Sequence, residues 1–318
     1  MTDPGTRTRP AEYGFEAWHH FTCQSISASE CWRSPGADFR ARVTRRRLGA
    51  LQVSEVASVA TDGVSIRRGT REIRKDPRDH FMFYLLLDGR VELAQYERQT
   101  SVQAGDLLLY DQAMPFALNL YQHHSILVSI PRELLASRLP DATKFAARRI
   151  AGTSQLGALV SDSLQRMAGL DTLGSAAVEH RLVTSLLDLI SAALEAEFAD
   201  ERVLRTPDRG VMSQVQRYII AHLQEPDLDI DRISAAHHIS PRTLNRIFAA
   251  EGTTPIRWLW KMRLAACYRI LSEGYVTSVT EVAFRLGFSD ASHFSRAFKR
   301  EFGVLPYAVL RNSRACVQ

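Results

Sequence analysis

Two short segments in the last third of the chain hold the residue types that read base edges. They are "SPRTLNRIF" (240–248) and "SDASHFSRAFKR" (289–300). Arginine pairs with guanine through two hydrogen bonds, asparagine pairs with adenine in the same way, and a hydroxyl meets either a base or a phosphate. At helical spacing the first segment puts Leu244, Ile247 and Phe248 on one face. Arg242, Thr243, Asn245 and Arg246 fall on the other. The second segment gathers Phe294, Ala297, Phe298 and, just beyond it, Phe302, opposite Ala291, Ser292, Ser295, Arg296, Lys299 and Arg300. The chemistry this supports is non-covalent recognition, with each polar face laid in a DNA major groove by a helix-turn-helix.

A polar helix face is often only a solvated one, and a single copy would not separate the two readings. The segments, however, are halves of an internal repeat. Ile233 matches Val282 and Ile239 matches Phe288, each 49 residues apart. Leu244, Arg246 and Phe248 match Phe294, Arg296 and Phe298, each 50 apart. Gly252 and Pro255 match Gly303 and Pro306, each 51 apart. The repeat includes an exposed arginine, which a shared core alone does not require. Ser240 is a natural helix N-cap with Pro241 at the first helical position, and Ser289 is its expected counterpart.

Between the copies, "PIRWLWKMRLAACYRILSEG" supplies Ile256, Leu259, Leu264, Ala265 and Ile270 for a bridging helix. About 18 residues at ~1.5 Å each span roughly 27 Å. That approaches the ~34 Å between successive major-groove faces on one side of a duplex. One chain could therefore set two reading helices a turn of DNA apart. Charge agrees: from Val211 onward there are 14 Lys and Arg against 9 Asp and Glu, while the preceding residues hold 26 of each.

These residues carry a resemblance. Positions 212–311 resemble the C-terminal DNA-binding domain of AraC/XylS-family transcription regulators. The carrying stretches are "ISPRTLNRIF", "GTTPIRWLWKMRLAACYRIL" and "VTEVAFRLGFSDASHFSRAFKREFG", followed by Pro306 and Tyr307. Ala283, Gly287, Phe288, Phe294, Phe298, Gly303 and Pro306 fall on positions of the family pattern. Leu305 stands where that pattern has a small hydroxyl residue, and no aromatic follows three after Pro306. The resemblance implies base reading by Arg242, Thr243, Asn245, Arg246, Ala291, Ser292, Ser295 and Arg296. It also points to Arg263, Lys299 and Arg300 as phosphate contacts, which add affinity and salt dependence without sequence choice.

The first half reads as strands. "RARVTRRRLGALQVSEVASVA" mixes β-branched residues with charge, and its basic run (40–49) suits a solvated strand edge. "HFMFYLLLDGRVELAQY" reads as an apolar strand, an Asp-Gly turn and an alternating strand with Val91, Leu93 and Tyr96. A Gly-Asp turn, another apolar strand and the short strand "HHSILVSI" follow. Such spacing suggests a β-sandwich or barrel. "VSIRRGTREIRKDPRDHFMFYLLLDGRVELAQYERQTSVQAGDLLLYDQAMPFAL" resembles the cupin-type effector-binding domain of a branch of the same family. That implies a small organic, often aromatic, ligand.

The period becomes helical after Pro131. A helix from about Gln155 to Met167 and a longer one through Leu182, Val183, Leu186, Leu187, Ile190 and Leu194 form a hairpin over 155–198. Its apolar stripe would suit a second copy or its own barrel. "DERVLRTPDRG" (200–210) reads as the linker.

Two other classes compete: a ligand-independent architectural DNA binder, which the extra 200 residues argue against, and a cupin metalloenzyme fused to a DNA-binding domain. A cupin metal site needs several histidines on one metal, commonly two positions apart on a strand. The ten histidines include no H-x-H; His19–His20 and His123–His124 are adjacent pairs that point to opposite faces of a strand. There is no G-x-S-x-G, no P-loop and no dinucleotide fingerprint. No catalytic residue, metal or cofactor is expected. Candidates to line a barrel interior are Arg67, Phe83, Tyr84, Tyr110 and His123.

The expectation is an α+β multidomain protein. A cupin-like β-barrel with its helical hairpin (1–199) serves effector binding and dimerisation. An all-α domain (211–318) carries two helix-turn-helix units, at 229–250 and 278–301, joined by the bridging helix. The four cysteines form no CxxC pair, the N-terminus has no signal-peptide pattern, and no apolar run is long enough for a span. The expected setting is cytoplasmic, away from membranes. Its partners would be double-stranded DNA, a small-molecule effector, RNA polymerase and a second copy, and its outcome activation of a catabolic operon.

Overall fold

The computed structural model describes residues 11–60, 62–139, 141–170, 176–198, 207–250, 252–273 and 276–317. The first part of the expected linker and most of the hairpin connection lie outside them. Two compact units result, one essentially Met1–Leu194 and the other Glu195–Gln318, with Ala136–Pro140 grouped with the second.

The first unit is built on one antiparallel sheet of ten strands. Its two longest, β6 (His80–Gln95) and β9 (Phe116–Pro131), pair along most of their length. Around them lie β3 (Phe39–Leu48), β4 (Leu51–Ala60), β5 (Val64–Arg68), β7 (Arg98–Gln103) and β8 (Leu107–Asp111). Short strands β1 (Ala11–Tyr13), β2 (Glu30–Arg33) and β10 (Arg148–Ile150) complete it. β9 passes from β5, paired at Phe116–Leu120, to β4, paired at His123–Ser129. β6 passes from β8 at Phe81–Leu85 to β7 at Arg90–Gln95. The handover coincides with register shifts at Leu86/Asp88 and Gly89/Val91. A bulge there bends both strands, so their halves face each other over a core containing Val43, Val56, Tyr84, Val91, Leu108 and Leu118.

Two sequence expectations change here. Asp88–Gly89 is not a hairpin turn but the bulge inside β6. "HHSILVSI" is not a separate strand but the second half of β9. The hairpin turn falls later, at Tyr96 and Glu97, both in the left-handed region with φ of 51° and 59°. Asp111 holds it: its Oδ2 accepts from the Tyr96 hydroxyl (2.8 Å), and its backbone bonds to the Gln95 amide. Gly89 has φ of 90°, and a Cβ there would lie 1.7 Å from the Gln122 carbonyl oxygen.

The helices of this unit begin with α1 (Phe15–Ser25), which packs on β3. Helices α2 (Thr70–Lys75) and α3 (Arg132–Ala136) are short. The hairpin follows as α4 (Gln155–Gly169) and α5 (Ala176–Glu197). Ser154 caps α4, its hydroxyl accepting from Gly157 N at 3.1 Å. On α5, Val183, Leu186, Leu187, Ile190 and Leu194 are buried within the chain, and Val183 lies against Gly49 of the β3–β4 turn. These five residues are packed within the chain, while Leu182 of the same stripe is half-buried.

The second unit is helical: α6 (Pro207–Ala221), α7 (Ile230–Ala236), α8 (Pro241–Ala249), α9 (Pro255–Glu273), α10 (Val279–Arg285), α11 (Ala291–Phe302) and α12 (Pro306–Val317). Helix α6 starts inside the span expected to be linker. One core joins Val215, Ile219, Ile233, Leu244, Phe248 and Leu259. Aromatics from α9 and α11 form another contact series, with Phe294–Phe298 at 5.4 Å and Tyr268–Phe302 at 4.8 Å between ring centroids.

Gly89→Ala should destabilise the first unit by about 3 kcal/mol, because the methyl group meets backbone at a positive φ. Denaturant unfolding measures this; an unchanged midpoint would show that the bulge does not need glycine.

Candidate functional site

Each reading helix is set by a cap at its start and an apolar face behind it. In the first copy Asp229 caps α7, accepting from Arg232 N at 2.9 Å. Ser240 caps α8, accepting from Thr243 N at 3.1 Å, and its hydroxyl also meets Thr243 Oγ1 at 2.9 Å. Leu244 and Phe248 are fully buried and Ile247 nearly so. Arg242, Asn245 and Arg246 are consequently exposed and Thr243 half-buried. Asn245 already donates one amide N–H to the Pro241 carbonyl at 2.9 Å.

In the second copy Ser278 caps α10, accepting from Glu281 N at 3.2 Å. The cap of α11 is Asp290, not Ser289; it accepts from Ser292 N at 2.7 Å. This keeps the copies in step, since Asp290 stands 50 residues after Ser240, as Phe294 does after Leu244. Phe294 and Phe298 are fully buried. Ser292, Arg296, Lys299 and Arg300 are exposed, and Ala291 and Ser295 half-buried. His293, which the sequence reading passed over, is exposed as well. It lies three residues before Arg296, so helical spacing could have found it.

Arg263 does not belong with the phosphate contacts. It is 1% exposed. Its Nε donates to the Leu223 carbonyl at 3.1 Å and its Nη2 to the Glu225 carbonyl. The guanidinium lies over the Trp260 ring, 4.8 Å from its centroid. Placed at the middle of α9, it faces the interior of its unit rather than solvent.

The first unit holds a cavity of about 50 Å³. Tyr84, Tyr110 and His123 line it, and Arg67 and Phe83 do not. Strand alternation explains both corrections. On β5, Arg67 is exposed while Ile66 reaches the cavity. On β6, Phe83 is fully buried on the face opposite Tyr84, the face where Arg132 lies over Phe81 at 4.4 Å. Sequence reading missed Trp18, Phe21 and Thr22 of α1, which close one side. Their three- and four-residue spacing on one helix face was the available signal.

Among the described residues lining the cavity, none carries a charge at neutral pH. His123 is buried, with its Nδ1 against the Ser58 hydroxyl at 2.8 Å and the Tyr121 carbonyl at 3.2 Å. Burial lowers its pKa to about 4, against the upward pull of that carbonyl. Burial pushes the Tyr84 and Tyr110 hydroxyls above the ordinary phenol range. The buried Tyr84 hydroxyl lies by the Ser125 side chain, which pulls against that rise. His124 points outward to Glu55 at 2.9 Å. The nearby buried cation, Arg68, is turned away: it donates to the carbonyls of Gln112 (3.0 Å), Ala28 (2.7 Å) and Asp76 (2.6 Å). Among the described residues no three His, Cys, Asp or Glu side chains gather to hold a metal. None of the described helices is long and apolar enough to cross a membrane.

A sheet domain around an internal cavity, with a helical unit presenting two capped helix-turn-helix faces, defines a DNA-binding transcription regulator. Comparison with known proteins fixes the family. The AraC-binding-like domain model matches residues 18–195, and a helix-turn-helix domain model matches 233–312. The chain belongs to the AraC family. Transcriptional activator NphR of Rhodococcus sp is 34% identical over 281 residues, covering 86% of this chain and 82% of NphR. Transcriptional activator RhrA of Rhizobium meliloti (strain 1021) is 33% identical over 105 residues, 33% of each chain. The crystal structure of the AraC-like transcriptional activator CuxR shares the fold, with a TM-score of 0.52 at 22% identity over 82% of this chain and 95% of that one.

His123 gives a pH dependence of stability. Its folded pKa lies below the ordinary histidine value, so the unfolded chain binds the extra proton first. This contribution is complete above about pH 6.5 and is lost as pH falls toward 4, on the order of 3 kcal/mol at most. A His123→Asn variant should show a flatter stability profile between pH 6.5 and 4 than the parent. Identical slopes in chemical denaturation would contradict a buried neutral ring.

Proposed function

We propose that this protein is a sequence-specific transcription activator that reads two adjacent major grooves and responds to a small, uncharged organic molecule held in its sheet unit. The observation that carries the DNA part is the exposed polar face repeated on α8 and α11, each backed by a buried apolar face. Arg242, Thr243, Asn245 and Arg246 would contact bases from one helix. Ala291, Ser292, Ser295 and Arg296 would do so from the other, with Ala291 restricted to a thymine methyl contact. Lys299 and Arg300 would hold phosphates.

Activation is supported by the relatives NphR, RhrA and RhaS, each named as an activator. The uncharged wall, with the Tyr84 and Tyr110 side chains in it, favours a neutral effector. Trp18, Phe21, Tyr110 and Phe116 offer ring faces to an aromatic one. A cavity of about 50 Å³ holds only a small molecule unless the wall yields. Effector binding would act by shifting populations between arrangements of the two units. The family membership further supports a cytoplasmic protein that works as a homodimer and contacts RNA polymerase. The interface of that dimer would avoid the buried stripe of α5.

Arg246→Ala and Arg296→Ala should each cost about 1–3 kcal/mol of binding and relax preference at one base position. Arg300→Ala should weaken all sequences alike and lower the salt slope by about one. Titrations on duplexes selected by the parent from a random pool measure both. Unchanged affinity in both alanine variants of the reading arginines would refute the assignment of the helices.

A further inference from the structure

We propose that Arg263 is a positioning residue for DNA recognition: it fixes the separation of the two reading helices, and so the base-pair spacing that the chain accepts. The inference rests on the two-groove reading above. Arg263 stands near the middle of the bridging helix α9, and its guanidinium touches the connection that leads into the first helix-turn-helix unit and the turn inside the second. On one side, Nε and Nη2 donate to the carbonyls of Leu223 and Glu225, in the connection from α6 to α7. On the other, it packs against Gly287 in the turn between α10 and α11. A Cβ on residue 287 would lie 2.7 Å from Cζ of Arg263.

The contact continues to the second reading helix. Trp260, under the guanidinium, meets Phe288 at 4.9 Å, and Phe288 meets Phe294 of α11 at 4.9 Å. The matching turn of the first copy has His238 at φ 53°, where Gly287 has φ 81°. The first copy thus carries a side chain at this left-handed position, and the second has none where Arg263 packs.

The chemistry of this contact makes it a spacer and not a loose tether. Among the described residues no carboxylate pairs with Arg263; the Glu225 side chain instead meets Arg232. The charge is met by backbone carbonyls, which cannot change rotamer to follow it. A planar fork satisfies two such acceptors at fixed angles, whereas a lysine ammonium is a point donor on a flexible stem. Losing the fork should leave each reading helix intact and free the angle between them.

The test uses the full chain and duplexes selected by it from a random pool. Each duplex is resynthesised with one base pair added or removed between the two contacted segments, and also with one segment scrambled. The parent should favour its native spacing by about tenfold or more. Arg263→Lys should compress that preference to about threefold or less, while binding to one-segment duplexes stays within about twofold of the parent. Arg263→Gln, which keeps amide donors without the charge, serves the same comparison if the lysine variant does not melt cooperatively. Equal weakening on every duplex, with the parent's spacing preference retained, would make Arg263 merely structural and overturn the proposal. A parent with no spacing preference would instead overturn the two-groove reading beneath it.

Discussion

A buried guanidinium without a carboxylate is costly unless donors are met, and Arg263 places its Nε and Nη2 on main-chain carbonyls. That constraint organises the helical unit. The carbonyls of Leu223 and Glu225 must be presented from one side. The chain must approach without a side chain at Gly287 from the other, and Trp260 must lie beneath. With these in place, the aromatic faces of α9 and α11 close on each other and Leu244, Ile247 and Phe248 close the first copy. Burying those faces is what leaves the polar stripes outside. The proposed recognition surfaces are the complement of packing, not separate additions to it.

The sheet unit applies a different constraint to a similar end. Its bulge reverses the parity of β9: Phe116, Leu118 and Leu120 face inward before it, and His123, Ser125 and Leu127 after it. His123 thereby reaches the cavity, while Gln122 and His124 beside it do not. Arg68 is completely buried close by, yet its bonds to three carbonyls hold loops together and keep its charge off the wall. An interior with hydroxyls and a neutral imidazole suits a neutral guest better than an ionised one, whose desolvation would go unmatched.

How much of this was legible varied with the kind of signal. The two reading helices could be found because a 50-residue repeat preserved caps, core and exposed arginine together. The cap at Asp290 was misplaced by one position because Ser289 resembles Ser240 in type. Arg263 was illegible: a long cation on a helix between DNA-reading units looks like a phosphate contact, and only the position of distant carbonyls shows otherwise. Asp88–Gly89 has the composition of a hairpin turn, and nothing local distinguishes a turn from a bulge that must clear Gln122. The run from Phe81 to Leu86 is apolar throughout because both faces of β6 are buried. Period alone therefore could not separate Tyr84 from Phe83.

Whether one chain reads two adjacent grooves is measured most directly by guanine-methylation interference on a selected duplex, at protein concentrations where a single chain is bound. Two clusters of interfering guanines, on one face of the duplex and about 10 base pairs apart, are the predicted result. A single cluster, or a second one that arises only when another chain binds, would contradict it.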